Sequence, residues 1–264
     1  MADLGTATIR CTLGAGYIDT SEAERLEGEI AGKDAEIAAL EAKVAQLEKD
    51  VENAVADANA LFIPVIDRSV VNMVLPESLT EIGASAFRSC KTLKTITLPA
   101  GLTRIGSEAF SECNKLAEIT LPMGVTIVMS YTFSSCNSLS KVNLPETVTS
   151  IQSGAFQSCI MLKALILPAQ LKKIEDQAFA GCAFTQMEFP ETLTSLGGYI
   201  FMNSRTLASV AFKGVPTNIA TNAFGAIYTT GFTINVPWAE GEVSGAPWGA
   251  KNATINYNYT GGDT

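Results

Sequence analysis

The stretch Leu93-Lys94-Thr95-Ile96-Thr97-Leu98-Pro99-Ala100-Gly101-Leu102-Thr103-Arg104-Ile105-Gly106-Ser107-Glu108-Ala109-Phe110-Ser111-Glu112-Cys113 decides the fold, because its apolar frame returns every 23 residues. Leu-Pro stands at Leu75-Pro76, Leu98-Pro99, Leu121-Pro122, Leu144-Pro145 and Leu167-Pro168. Cysteine stands at Cys90, Cys113, Cys136, Cys159 and Cys182. Phenylalanine keeps the same beat at Phe87, Phe110, Phe133, Phe156 and Phe179, then slips by one residue to Phe201 and recovers at Phe224. A fixed period of this size marks a solenoid, in which each repeat is one coil stacked on the last.

Within the unit, the alternation Ile96-x-Leu98 reads as a short strand with two inward residues, and Pro99 closes it by removing a backbone donor. Leu102 and Ile105 are three apart and lead into Ala109-Phe110, which predicts a short helical segment. Neither element buries its apolar face alone, so stacking Leu on Leu and Phe on Phe makes one continuous core. The phenylalanines predict about seven coils, and a strand spacing of ~4.8 Å makes the stack roughly 35 Å long. The frame is least regular between residues 122 and 144, and the coil after Cys182 is a residue short, with Phe184 where Leu is expected. The last coils decay, and residues 226–264 are placed to cap the end.

The motif Leu-x-x-Ile-x-Leu-Pro-x-x-Leu-x-x-Ile-x-x-x-Ala-Phe-x-x-Cys resembles the leucine-rich repeat of the BspA type, also called the Treponema pallidum type, over about residues 65–225. The resemblance implies an α/β repeat solenoid, a right-handed leucine-rich-repeat solenoid with strands on one face and short helices on the other. It also implies proteins of bacterial surfaces, protist surfaces and prophages that bind host proteins, matrix or glycans, with no shared catalytic residues. The tail from Ile234 through Trp238 and Trp248 to Tyr257 resembles closing segments of prophage-encoded proteins with such repeats.

Composition narrows the function. There is no histidine among the 264 residues, which removes the commonest general base and metal ligand. Residues 21–60 hold eleven acidic and four basic residues, a net of −7 out of the chain's −9. An acidic chain without a basic stripe is a poor binder of nucleic acid or anionic membrane. No apolar run approaches the ~18–20 residues needed to span a bilayer, so no membrane insertion is expected. Met1-Ala2-Asp3-Leu4-Gly5 lacks the basic and apolar regions of a secretory signal.

Four segments are expected. Residues 1–20 read as a loosely ordered start or as an attachment peptide. Residues 21–62 read as one long helix, opened by the capping box Ser21 and Glu24 and ended by Pro64. Its apolar residues Leu26, Ile30, Ile37, Leu40, Val44, Leu47 and Val51 follow a 3.5-residue period, the signature of a coiled coil about 60 Å long. A homo-oligomer, dimer or trimer, is expected through this stripe. It is weakened by Lys33 in the seam and by Glu29 facing Asp34 and Glu36 facing Glu41 in a parallel dimer. The solenoid takes residues 63–225 and the capping segment 226–264.

If Ile96 and Leu98 point inward, Thr95 and Thr97 point outward. The equivalent outward row continues through Glu118 and Thr120, Lys141 and Asn143, Ala164 and Ile166, Gln186 and Glu188, and Ser209 and Ala211. These residues change from coil to coil on a constant frame, as in a recognition surface and equally as in solvated positions free of selection. The row lacks aromatic residues, so it suits protein better than glycan. Five cysteines at one period form a line of buried free thiols and not a tetrahedral metal site. Glu240 and Glu242 beside Trp238 and Trp248 are the one carboxylate pair weighed for glycosidase chemistry, against a solvated turn beside buried tryptophans. The sequence therefore predicts a recognition or adhesion protein without enzymatic activity, cofactor or metal. Its partner is a protein or glycan on a cell surface, and its place is a virion (phage tail), the extracellular space or a cell surface. A purely structural virion or scaffold component is the alternative.

Overall fold

The computed structural model describes Arg25, residues 27–44 and residues 70–260. The expectations for residues 1–20, for Leu26, Leu47 and Val51, and for both ends of the long helix lie outside the described residues. Arg25 and residues 27–44 are helical (α1), and Ile30, Ile37, Leu40 and Val44 are each more than half exposed. The helix and the solenoid are separate compact units. No helix among the described residues is long and apolar enough to cross a membrane.

The chain from residue 70 winds into a solenoid of about eight turns of ~23 residues. Successive coils contribute β1 (Asn72–Val74) and β2 (Glu81–Ile82), β3 (Thr95–Thr97) and β4 (Arg104–Ile105), then β5 (Glu118–Thr120) and β6 (Ile127–Val128). β7 (Lys141–Asn143) and β8 (Ser150–Ile151) follow, and the fifth coil supplies only β9 (Lys173–Ile174). The remaining strands are β10 (Gln186–Phe189), β11 (Ser195–Leu196), β12 (Ser209–Phe212), β13 (Asn218–Ile219), β14 (Thr233–Asn235) and β15 (Thr254–Asn256). Every pairing is parallel and joins residues about one repeat apart, as in Ile96 with Met73 and Val142 with Ile119.

β1, β3, β5 and β7 of the first face each end at a Leu-Pro step that turns the chain. The proline carbonyl accepts the amide three residues on, as in Leu102 N–H to Pro99 O at 3.1 Å and Val148 N–H to Pro145 O at 3.1 Å. The turn leads into a second parallel ladder, in which β6, β8, β9, β11 and β13 form one five-stranded sheet and β2 pairs with β4. The expected short helix is therefore absent from the described residues of the solenoid: Arg104–Ile105 is strand, and the Ala109-Phe110 stretch that follows is a chain of tight turns.

The backbone hydrogen bonds explain the difference. In that stretch alternate amides go to different partners. Ala86, Arg88 and Cys90 donate within their own coil, to Gly83, Ser85 and Phe87. Ser85, Phe87 and Ser89 donate to the next coil, to the carbonyls of Ser107, Ala109 and Ser111 at 2.7–2.9 Å. A helix commits every amide to its own turn and has none to spare for a neighbour. The alternation needs left-handed residues, found at Ser85 and Ser89, then at Glu108 and Glu112, and with φ of 55° and 60° at Tyr131 and Ser135. Saturating the backbone between coils outweighs the local cost of those conformations.

The core runs the length of the stack. Phe87, Phe110, Phe133, Phe156, Phe179 and Phe201 stack ring on ring with centroids 5.1–5.8 Å apart. Each is fully buried, which contributes about 1.5–3 kcal/mol per side chain. Beyond Phe201 the rings turn edge-on into a cluster of Phe212, Phe224, Trp238 and Trp248, over which β14 and β15 extend the first sheet.

Candidate recognition surface

Most of the outward row lies exposed on strands. Thr95, Thr97, Glu118, Thr120, Lys141, Asn143, Gln186 and Glu188 are exposed on their strands, while Ile96, Ile119, Val142 and Met187 between them are buried. Ile166 is also exposed but lies outside any strand. Neighbours along the row are laced by hydrogen bonds between coils: Thr95 Oγ1 donates to Asn72 Oδ1 at 2.8 Å, and Asn143 Nδ2 donates to Thr120 Oγ1 at 2.8 Å. Farther along, Asn256 Nδ2 donates to Asn235 Oδ1 at 2.7 Å, and Lys213 pairs with Glu188 at 2.8 Å. Thr97, Glu118, Lys141 and Gln186 make no such side-chain bond among the described residues, so their polar groups face solvent, as does the apolar side chain of Ile166.

The row is not one uninterrupted sheet. β1 pairs with β3, β5 with β7, and β10, β12, β14 and β15 form a four-stranded ladder. Between β3 and β5 one bond survives, Ala117 N–H to Lys94 O at 3.5 Å. Between β7 and β10 the break is complete, because no backbone hydrogen bond joins residues 163–167 to the strand on either side. The core position Leu165 is only partly buried there, and Ile166 stands 87% exposed.

This break adjoins the short corner that the sequence shows. Leu93, Leu116, Leu139 and Leu162 each donate to the cysteine carbonyl three residues earlier, which shapes the corner. With one residue fewer between Cys182 and Phe184, Ala183 N–H reaches back to Leu162 O at 3.1 Å. Ile160 and Met161 on the preceding corner are left exposed. A groove of about 590 Å³ opens along the interrupted coil, between residues 163–167 and 185–188. Sequence reasoning placed Ile166 in the row but missed Lys163, Leu165, Glu191 and Lys213 around the groove. The signal is present in apolar Ile166, at the place held in the preceding coil by Asn143.

The other candidate groups are occupied structurally. Trp238 and Trp248 are buried, and Trp248 Nε1 donates to Ser244 O at 3.0 Å, so neither ring forms a platform for sugar. Glu240 and Glu242 are exposed, and Glu242 Oε2 accepts the Ala239 amide of its own turn at 3.1 Å. The ladder cysteines Cys90, Cys113, Cys136, Cys159 and Cys182 are buried and form no disulfide. From Cys113 onward each thiol donates to the phenylalanine carbonyl of the preceding coil at 3.1 Å. Burial pushes the thiols of Cys113, Cys136, Cys159 and Cys182 well above the ordinary range, with neighbouring thiols adding to the rise for the first three.

The BspA type leucine-rich repeat profile matches in six copies, over residues 67–183 and 153–237. No curated protein matches the chain. The crystal structure of the T. pallidum leucine-rich repeat protein TpLRR is 28% identical over 61% of this chain and 78% of its own, with a TM-score of 0.56. The crystal structure of the pneumococcal vaccine antigen PcpA has a TM-score of 0.54 at 15% identity, over 71% of this chain and 56% of that one. With its repeats matched across most of the solenoid and its fold shared with these structures, the chain belongs to the BspA-type leucine-rich repeat family.

Proposed function

We propose that this is a non-enzymatic recognition protein, in which the outward row of the first strand ladder binds a protein on a cell surface. The observation that carries the reading is the contrast within that row. Ile96, Ile119, Val142 and Met187 hold one buried place, while the exposed residues beside them run from Thr to Glu, Lys and Gln. A preformed row of this kind binds with little ordering cost. The groups free of bonds between coils, Thr97, Glu118, Lys141, Ile166 and Gln186, are the ones we assign to binding. α1, with Ile30, Ile37, Leu40 and Val44 exposed, supports a coiled-coil stalk that joins two or three heads, as in a surface adhesin or a phage tail appendage.

One observation favours a second reading, that of a structural virion or scaffold component. Thr95, Thr120 and Asn143 bond to neighbouring coils, so part of the row serves the solenoid itself. The test is binding of the labelled full chain to intact bacterial cells and to immobilised host extracts. Saturable binding that falls in Glu118→Lys with Lys141→Glu supports recognition. Absence of saturable binding to either favours the structural reading. A glycan ligand would show as binding that survives protease treatment of the cells.

A further inference from the structure

Residues of a parallel strand present their N–H and C=O alternately to the two sides. Thr185, just before β10, and Phe189 at its end face β12, since Ser209 N–H reaches Thr185 O at 3.4 Å and Lys213 N–H reaches Phe189 O at 3.0 Å. Gln186 and Glu188 therefore face the interrupted fifth coil, and nothing in residues 163–167 pairs with them. A strand edge with free donors and acceptors is a template for another extended chain. The groove beside it is lined by residues 163–167 on one side and 185–188 on the other, so it adjoins that strand edge.

We propose that this groove takes an extended segment of a partner protein, which adds its backbone to the Gln186–Glu188 edge and seats apolar side chains against Leu165 and Ile166. The proposal rests on the reading of the strand face as a recognition surface and names the place and the mode of binding within it. Three features select this occupant. Main-chain pairing supplies affinity in such strand addition, and side-chain pockets at alternate positions supply specificity. No aromatic ring lines the groove, so a sugar has no stacking surface. The charges also discriminate. Glu188 is paired with Lys213, and Glu146 accepts the Ala169 amide at 2.9 Å. Glu191 has no side-chain partner among the described residues, so a segment with apolar residues at alternate positions and one Lys or Arg beside Glu191 is complementary.

The test uses the full chain panned against a displayed library of random linear peptides, with the recovered consensus peptide synthesised and titrated. The expected consensus alternates apolar residues and carries a basic one. Its Kd should rise about tenfold or more in Ile166→Asn, which installs the residue found at the equivalent place in the preceding coil. Because Ile166 is 87% exposed, that substitution should leave the melting midpoint unchanged. Hydrogen exchange at the Gln186 and Glu188 amides should slow when the peptide binds. A library that yields no consensus overturns the proposal, and so does a peptide indifferent to Ile166→Asn that leaves both amides unprotected. If that peptide instead responds to Glu118→Lys, the groove is refuted while the wider strand-face reading stands. Self-association of the full chain abolished by Ile166→Asn would assign the groove to a second copy and overturn the proposal.

Discussion

The thiol of Cys136 donates to the carbonyl of Phe110 at 3.1 Å, across the boundary between two coils. The same carbonyl accepts the amide of Cys113 at 3.2 Å. One phenylalanine carbonyl thus ties its own corner and the next coil, and the cysteine ladder works as a hydrogen-bonding line inside an apolar core. These thiols stay protonated in the fold, because burial opposes the thiolate. Native protein should resist a thiol reagent at Cys113, Cys136, Cys159 and Cys182, as read by intact mass. The unfolded chain ionises its thiols above about pH 8.5, so each buried thiol lowers stability by about 1.4 kcal/mol per pH unit beyond that point. Denaturant melts of Cys136→Ala against the parent should show their gap narrowing at that rate from pH 8.5 upward. A gap independent of pH would mean that the thiol is solvated.

The Phe133 ring stacks on Phe156 at 5.4 Å with planes 12° apart, and on Phe110 at 5.6 Å. Phe133→Ala should cost about 3–5 kcal/mol through the cavity it leaves. In a stack where each coil touches only its neighbours, that loss weakens the coupling of the two halves. Thermal unfolding should shift to a lower midpoint and broaden. An unchanged midpoint would contradict the ring's position in the core.

Much of this was legible in the sequence, because the period places Leu, Ile, Phe and Cys in register without any knowledge of the third dimension. The second ladder was not. Leu102 and Ile105 are spaced three apart, which fits a helix turn, yet Arg104–Ile105 pairs with Glu81–Ile82 as strand. Spacing within one coil carries no information about hydrogen bonds between coils, and those bonds decide the outcome here. Thr95, Thr97, Glu118, Thr120, Lys141, Asn143, Gln186 and Glu188 are exposed as strand alternation predicts, because that alternation is local, while Ser209 and Ala211 are only partly exposed. The groove is not legible in the sequence, since it lies where the unpaired residues 163–167 face residues 185–188, a relation between two repeats.

Tyr131 folds across Gly154 of the next coil, and a Cβ at residue 154 would sit 2.3 Å from the tyrosine ring. Gly154 also has φ of +63°, where an added side chain costs roughly 1–2 kcal/mol. Gly154→Ala should therefore destabilise by more than that backbone cost alone. Tyr131→Ala removes the collision but not the strain, so the double variant should recover part of the loss. Additive losses would show that the ring does not lie over Gly154.

Glu175 sits below the usual carboxylate range. Partial burial pushes its pKa up, but the Lys173 ammonium at 2.7 Å and the Ser153 hydroxyl and amide at 3.1 and 3.3 Å outweigh it. A depressed folded pKa means that the stabilisation is present above the unfolded value near 4.3 and is lost as pH falls through the folded one. The stability difference between parent and Glu175→Gln should be steady near pH 7 and shrink on acidification below about pH 4. A difference that grows in acid would reverse the sign and rule out these contacts.

The last expectation concerns assembly. Ile30, Ile37, Leu40 and Val44 lie exposed along α1, a stripe that an isolated helix leaves in water. Burying it against copies of itself is the direct way to remove that surface. The flanking positions oppose this, because Glu29 meets Asp34 and Glu36 meets Glu41 in a parallel pair. The Arg25–Glu29 pair at 2.7 Å lies within one helix and is exposed, so it contributes only a few tenths of a kcal/mol. The full chain should thus associate weakly at low ionic strength and more tightly as salt screens the carboxylates. Leu40→Glu should return it to monomers at every salt concentration, as read by light scattering. A chain that is monomeric at high concentration in both low and high salt would refute self-association, and the stripe would then be the seat of a different helix.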